Sequence, residues 1–273
     1  MPTTHFITSG KATLSAEAIG GGDPVIFLHA GVADSRMWRA QMQGVGATHR
    51  AISYDRRGFG ATRAQREDHS AVADLEAVAD ALGGGAPAIL VGCSQGGRVA
   101  IDAALAHPSR VRGLVLIAPA VSGAPEATYS TEVRQRLAQL EEAESAGDLE
   151  RVNAIEAHLW LDGPLEREGR VAGAPRRLFL DMNGIALRAP ATGSNLDPEA
   201  FGQLSEIAQR SLVVCGDLDF RHIQERCRFL STAMKGATYH TLSGAAHLPS
   251  LEQPARITAL IQDFLDHSAG QRS

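Results

Sequence analysis

Ala88-Ile89-Leu90-Val91-Gly92-Cys93-Ser94-Gln95-Gly96-Gly97 is the stretch on which the fold turns. The apolar run Ala88–Val91 reads as a buried strand, and the residues from Gly97 to Ala106 read as a helix. Glycines at 92 and 96 let strand pass into helix through a turn too tight for flanking side chains. Ser94 then sits at the apex, strained and exposed, with the backbone N–H groups of a helix N-terminus behind it. A serine so placed can attack a carbonyl, and those N–H groups can hold the resulting oxyanion.

Working outward, the pattern repeats. Phe6–Thr8 and Thr13–Ala18 read as an antiparallel pair. Val25–His29, Ala51–Tyr54, Ala88–Val91 and Gly113–Ile117 read as buried strands, with helical stretches near Ser35–Gln43, Ser70–Ala81 and Gly97–His107 between them. Alternation of this kind predicts a parallel sheet covered on both faces. From 122 to 209 no strand is legible. Val133, Leu137 and Leu140, and then Val152, Ile155 and Leu159, carry helical spacing, divided by the turn Ala146-Gly147-Asp148. The sheet resumes at Leu212. The expected organisation is a core of 1–121 and 210–273, with an all-helical cap of 122–209 over the carboxyl edge of the sheet.

A serine hydroxyl needs a base. Of ten histidines, His247 stands in the small-residue loop Ser243-Gly244-Ala245-Ala246-His247, after the strand-like Ala237–Leu242. A carboxylate is needed to hold the imidazole tautomer. The strand Ser211–Cys215 runs into Gly216-Asp217-Leu218-Asp219, which carries two, whereas Ala118-Pro119-Ala120 after the preceding strand carries none. Ser94, Asp219 and His247 all fall just past the carboxyl ends of predicted strands, where open α/β sheets build their sites. On spacing alone Asp217 remains an alternative to Asp219.

Together with Phe27-Leu28-His29-Ala30-Gly31, Tyr54-Asp55-Arg56-Arg57-Gly58-Phe59-Gly60, Gly244–Pro249 and Glu252-Gln253-Pro254, these stretches resemble the α/β-hydrolase superfamily in its capped, esterase- and lactonase-like branch. The resemblance runs from about residue 20 to the end, apart from the middle insertion. It implies a mostly parallel, doubly wound sheet with an inserted helical cap. It implies a catalytic triad of Ser94, Asp219 and His247 behind a nucleophile elbow, the acid being the aspartate three positions after the glycine. The N–H groups of Gly31 and Gln95 are the implied oxyanion hole. Ala30 stands where the family usually has glycine, which leaves the backbone donor in place. The implied activity is hydrolysis of a small-molecule carboxylic ester or lactone through an acyl-enzyme.

Carbon–carbon hydrolysis and perhydrolysis use the same residues and stand as alternatives, and so does a ligand-sensing protein that keeps the fold. A serine nucleophile argues against epoxide hydrolysis and dehalogenation. An aminopeptidase would need converging carboxylates in the cap, and helical spacing spreads Glu141, Glu142 and Glu144 around the axis. Trp38, Trp160, Phe179 and Met182 are candidates for a substrate pocket or for ordinary core. His29 is expected to hydrogen-bond the oxyanion loop, Arg57 to pair internally, and Cys93 to be a small buried residue.

Composition is compatible with this reading. Of 273 residues, 44% are hydrophobic, enough for a sizeable core, and the net charge of −5 is spread without basic blocks. Neither nucleic acid nor membrane is an expected partner, and the expected ligand is a small molecule. Cys93, Cys215 and Cys227 have neither disulfide-framework nor zinc-site spacing, and the implied acyl-transfer mechanism needs no metal and no organic cofactor, so none is expected. The first residues lack a charged-then-apolar leader pattern, and the expectation is a cytoplasmic chain. Oligomeric state is not legible.

Overall fold

The structure is a computed structural model and describes residues 2–269. The chain runs β1 (Thr3–Ser9), β2 (Ala12–Ile19), β3 (Pro24–Leu28), α1 (Arg39–Val45), β4 (Arg50–Tyr54), β5 (Arg63–Ala64), α2 (Ala71–Leu82), β6 (Ala88–Cys93), α3 (Gln95–Ala106) and β7 (Val111–Ile117). Three helices follow: α4 (Thr131–Ser145), α5 (Leu149–Glu156) and α6 (Ala174–Arg188). Then come β8 (Arg210–Gly216), α7 (Arg221–Ala233), β9 (Ala237–Leu242), α8 (Pro249–Glu252) and α9 (Pro254–Ala269).

The main strands lie in the order β1-β2-β4-β3-β6-β7-β8-β9, with the two-residue β5 beside β2. β1, β2 and β4 pair antiparallel, and every pairing from β4 through β9 is parallel. β3 and β6 are buried at every position, as expected of strands covered on both faces. Their side chains alternate between two clusters. Val25, Phe27, Ile89 and Val91 pack with Met42, Val45, Ile257 and Ile261 of α1 and α9. Ile26, Leu28 and Leu90 pack with Leu75, Val78, Val99, Ile223 and Leu230 of α2, α3 and α7. The period of two thus meets helices on each face, and the sheet is doubly wound. Strand order reverses at β3, so the carboxyl ends of β3 and β6 flank a switch point, the usual place for a ligand crevice.

Between β7 and β8 the described residues form helices and loops, with a single isolated bridge from Asn195 to His69. The turn at 146–148 divides α4 from α5 as read from sequence. Gly147 has φ 68°, and Asp148 caps α5 by accepting from Arg151 N at 3.0 Å. Leu159 falls outside α5, in the π-helical turn Ala157–Asp162 that extends it. That turn buries Asp162, whose carboxylate accepts from Gly169 N, Val171 N and Arg176 Nη1 at 2.6–2.8 Å. Those bonds tie the end of the turn to the segment 169–176, beyond the reach of the helical periodicity. The predicted helix near Ser35 likewise begins as a 3₁₀ turn, Ser35–Trp38, before α1. No helix among the described residues is long and apolar enough to cross a membrane.

Candidate active site

Ser94 joins β6 to α3 with φ 52° and ψ −116°, in the left-handed half of backbone space where a side chain is strained. Its N–H donates to Ile117 O at 3.0 Å, and its carbonyl accepts from Ala120 N at 3.0 Å and Arg98 N at 3.1 Å. The turn is thereby bonded to β7 as well as to its own helix. Its glycines are required by close approach. A Cβ on Gly92 would stand 2.5 Å from Gly96 O, and one on Gly96 would press into the Leu28 carbonyl. Ser94 itself stays partly exposed.

The loops after β8 and β9 bring the next two residues together. Asp219 and His247 are both buried, and His247 Nδ1 lies 2.8 Å from Asp219 Oδ2. Asp219 Oδ1 accepts from Phe220 N at 2.7 Å. Asp217 turns elsewhere. Its Oδ1 accepts from Gly244 N at 2.7 Å and braces the histidine loop from outside. The choice that spacing left open is thus made by geometry, with Asp219 meeting the imidazole. Cys93, buried beside Ser94, donates its Sγ to His247 O at 3.6 Å, and burial pushes its thiol pKa up. Among the described residues no hydrogen bond joins Ser94 Oγ to His247; nucleophile–base contacts are commonly long before substrate binds.

Gly31 lies in the loop after β3, directly under the Gln95 side chain, so that a Cβ there would meet Gln95 Nε2 at 2.6 Å. The Gln95 N–H is one of the orphan donors that open α3. His29 behaves as expected of a loop-bonding residue. Its Nε2 accepts from Arg56 N at 2.9 Å, so the ring proton sits on Nδ1, which donates to Ala30 O at 2.7 Å. Burial, with the Arg56 charge beside it, holds this imidazole well below its usual pKa and therefore neutral. Arg57 pairs internally, with Asp74 at 2.8 Å and Glu67 at 2.6 Å.

The four pocket candidates separate. Trp160 is half-buried, and its ring lies 4.7 Å from that of His247 and 4.7 Å from that of Phe220. Trp38, Phe179 and Met182 have no accessible surface. Trp38 packs on Phe27 at 5.5 Å, and all three belong to the cluster on the α1–α9 face. They are core residues, fully buried within that cluster. A cavity of about 600 Å³ is lined by Asp219 together with residues such as Tyr129, Val133, Leu165, Phe220 and His222; neither Ser94 nor His247 lines it.

Three contributors carry no site signal of their own in the sequence. Arg170 Nη2 donates to Glu252 Oε2 at 2.5 Å, and Glu252 Oε1 accepts from Ala246 N at 2.9 Å, so the insertion is pinned to the histidine loop. Arg56 lies against the loop after β3. Glu252 and Arg56 stand inside the family's motifs without an evident role there, and Arg170 has no local pattern around it.

The chain belongs to the alpha/beta hydrolase family, whose model matches residues 25–260. It is 24% identical over 266 residues to the pimeloyl-(acyl-carrier protein) methyl ester esterase of Nitrosospira multiformis, covering 93% of this chain and 99% of that one. It is 28% identical over 268 residues to the 2-hydroxymuconate semialdehyde hydrolase of a Pseudomonas species, covering 90% and 88%. In structure it is similar to a thermophilic esterase from Thermogutta terrifontis, with a TM-score of 0.75, 24% identity, and 98% and 99% of the two chains covered.

Proposed function

We propose that this chain is a serine hydrolase acting on a small-molecule carboxylic ester or lactone. The observation that carries the reading is Ser94, held at φ 52° on the carboxyl end of β6, with the buried Asp219–His247 pair on the loops of β8 and β9. Ser94 Oγ attacks the carbonyl carbon while His247 takes its proton, and the N–H groups of Gly31 and Gln95 receive the oxyanion. On collapse His247 returns the proton to the leaving alcohol. Water then attacks the acyl-enzyme, gives its proton to His247, and frees the acid as the proton returns to Ser94. Asp219 keeps the imidazole oriented and stabilises it when charged. The helical insertion is the lid in this reading, and Trp160, lying on His247, is its contribution beside the base. No step calls on a metal or an organic cofactor.

Similarity to the 2-hydroxymuconate semialdehyde hydrolase favours a second reading, carbon–carbon hydrolysis by the same residues. Turnover of a panel of acyl esters, lactones and vinylogous diketones, with Ser94→Ala as blank, separates the two. Ester or lactone turnover above about 1 s⁻¹ that is absent from the blank supports the first reading. Turnover confined to the diketones supports the second, and activity surviving in Ser94→Ala removes both.

A further inference from the structure

Arg56 bonds to the loop that carries Gly31 and to the side chain of Gln95. Its Nη2 donates to His29 O at 3.1 Å and Ala30 O at 3.2 Å, and its Nη1 donates to Gln95 Oε1 at 3.2 Å. Its guanidinium also lies over the Phe59 ring, 4.9 Å from the centroid. All its hydrogen-bond acceptors are neutral. No carboxylate among the described residues comes within ion-pairing distance, unlike the neighbouring Arg57 with its two.

The consequence is geometric. The Ala30 carbonyl accepts from His29 Nδ1, from Arg56 Nη2 and, at 3.4 Å, from Ala33 N, which together fix the plane of the Ala30–Gly31 peptide. That peptide is trans, so the Gly31 N–H points opposite to the carbonyl, away from His29 and Arg56. It meets no acceptor among the described residues. The other arm of the guanidinium holds the Gln95 side chain, which lies over Gly31. One planar fork thus orients the Ala30–Gly31 peptide and holds the Gln95 side chain over it, while the Gln95 N–H is placed by the turn at Ser94, and the guanidinium adds an unneutralised positive charge beside the place where negative charge develops.

We propose that Arg56 is a positioning residue of the oxyanion hole, orienting the Gly31 N–H through the Ala30 carbonyl and holding the Gln95 side chain against Gly31. The proposal rests on the serine-hydrolase reading. A residue acting in this way helps the transition state more than the bound substrate.

The test is steady-state hydrolysis of a p-nitrophenyl ester by wild type, Arg56→Lys and Arg56→Met. It is paired with inhibition by an alkylboronic acid, whose tetrahedral adduct mimics the oxyanion, and with thermal unfolding. Arg56→Met is expected to lose about 10–100-fold in kcat with KM within about threefold, and boronate affinity should fall in step. Arg56→Lys, which keeps the charge without the fork, should recover only part of the loss. Arg56→Met with kcat within about twofold of wild type overturns the proposal. So does a loss carried by KM alone, or one that leaves boronate affinity unchanged, or the failure of both variants to fold. Labelling of Ser94 by a fluorophosphonate keeps the two inferences apart. A wild type that neither labels nor turns over removes the hydrolase reading and this proposal with it. A wild type that does both, matched by Arg56→Met, removes this proposal alone.

Discussion

Arg170 and Glu252, 82 residues apart, form an ion pair of 2.5 Å that ties the helical insertion to the loop carrying His247. Arg170 also donates to Leu161 O, Asp162 O and Gly244 O, so a single side chain spans the seam. Glu252 is 3% exposed at its side chain, and burial raises its pKa despite the arginine. Removing Arg170 would strand that carboxylate. Arg170→Met is expected to lower unfolding free energy by about 3 kcal/mol in urea titration, with Arg170→Met/Glu252→Gln recovering part of the loss. A single variant within about 0.5 kcal/mol of wild type would show the pair to be energetically idle.

Asp217 and Asp219 stand two residues apart but face different partners. Asp219→Asn removes the charge and, with its one oxygen held by Phe220 N, turns an amide donor toward His247 Nδ1, and is expected to lower kcat on the order of 10³–10⁴-fold. Asp217→Asn keeps an oxygen for Gly244 N and should stay within about tenfold of wild type. Steady-state kinetics of the two variants side by side decide the assignment, and equal losses would count against it.

Arg57 meets Asp74 through two bonds, Nε–Oδ2 at 2.8 Å and Nη2–Oδ1 at 3.0 Å, with both side chains nearly excluded from solvent. Arg57→Met leaves Asp74 buried and unpaired, and the expected cost is about 3–5 kcal/mol. Arg57→Met/Asp74→Leu should recover much of it, because the stranded charge goes too. Chemical unfolding of the single and double variants reads this directly.

Two histidines outside the proposed triad set an acid limit on stability. Burial holds His29 well below its usual value, and burial with Arg226 nearby lowers His222 to about 4. Below about pH 6.5 the unfolded chain gains protons that the folded chain refuses. Stability from these two groups is therefore complete above that pH and is lost as pH falls toward 4. His222 sits edge-on to Tyr129, 5.3 Å between centroids, so part of this loss falls where the insertion meets α7. His222→Gln should flatten the fall in unfolding free energy between pH 7 and 4.5. An unchanged slope would place the dependence elsewhere.

Much of the core was legible in the chain. The buried runs at Val25, Ala88 and Gly113 became β3, β6 and β7, and the turn at Ser94 is strained as the flanking glycines implied. Those signals are local: apolar periodicity and the lack of a Cβ act within a few residues. The insertion was legible only as helix-forming, because α4 and α5 carry periodicity while the π turn at 157–162 depends on partners brought in by the fold.

The sequence by itself determined the alternation of strand and helix, the serine turn, and the short set of residues from which a site could be built. Strand ends and tight turns are written in neighbouring side chains, and each needs no knowledge of the rest of the molecule. Tertiary structure alone showed the contact between Asp219 and His247 that the family resemblance had implied, that Trp160 lies on His247 while Trp38, Phe179 and Met182 are core, and that Arg56 and Arg170 bridge segments far apart in sequence. Each of those outcomes depends on hydrogen bonds and packing between residues far apart in sequence, whose strength falls away within a few tenths of an ångström and whose geometry exists only once the sheet has closed.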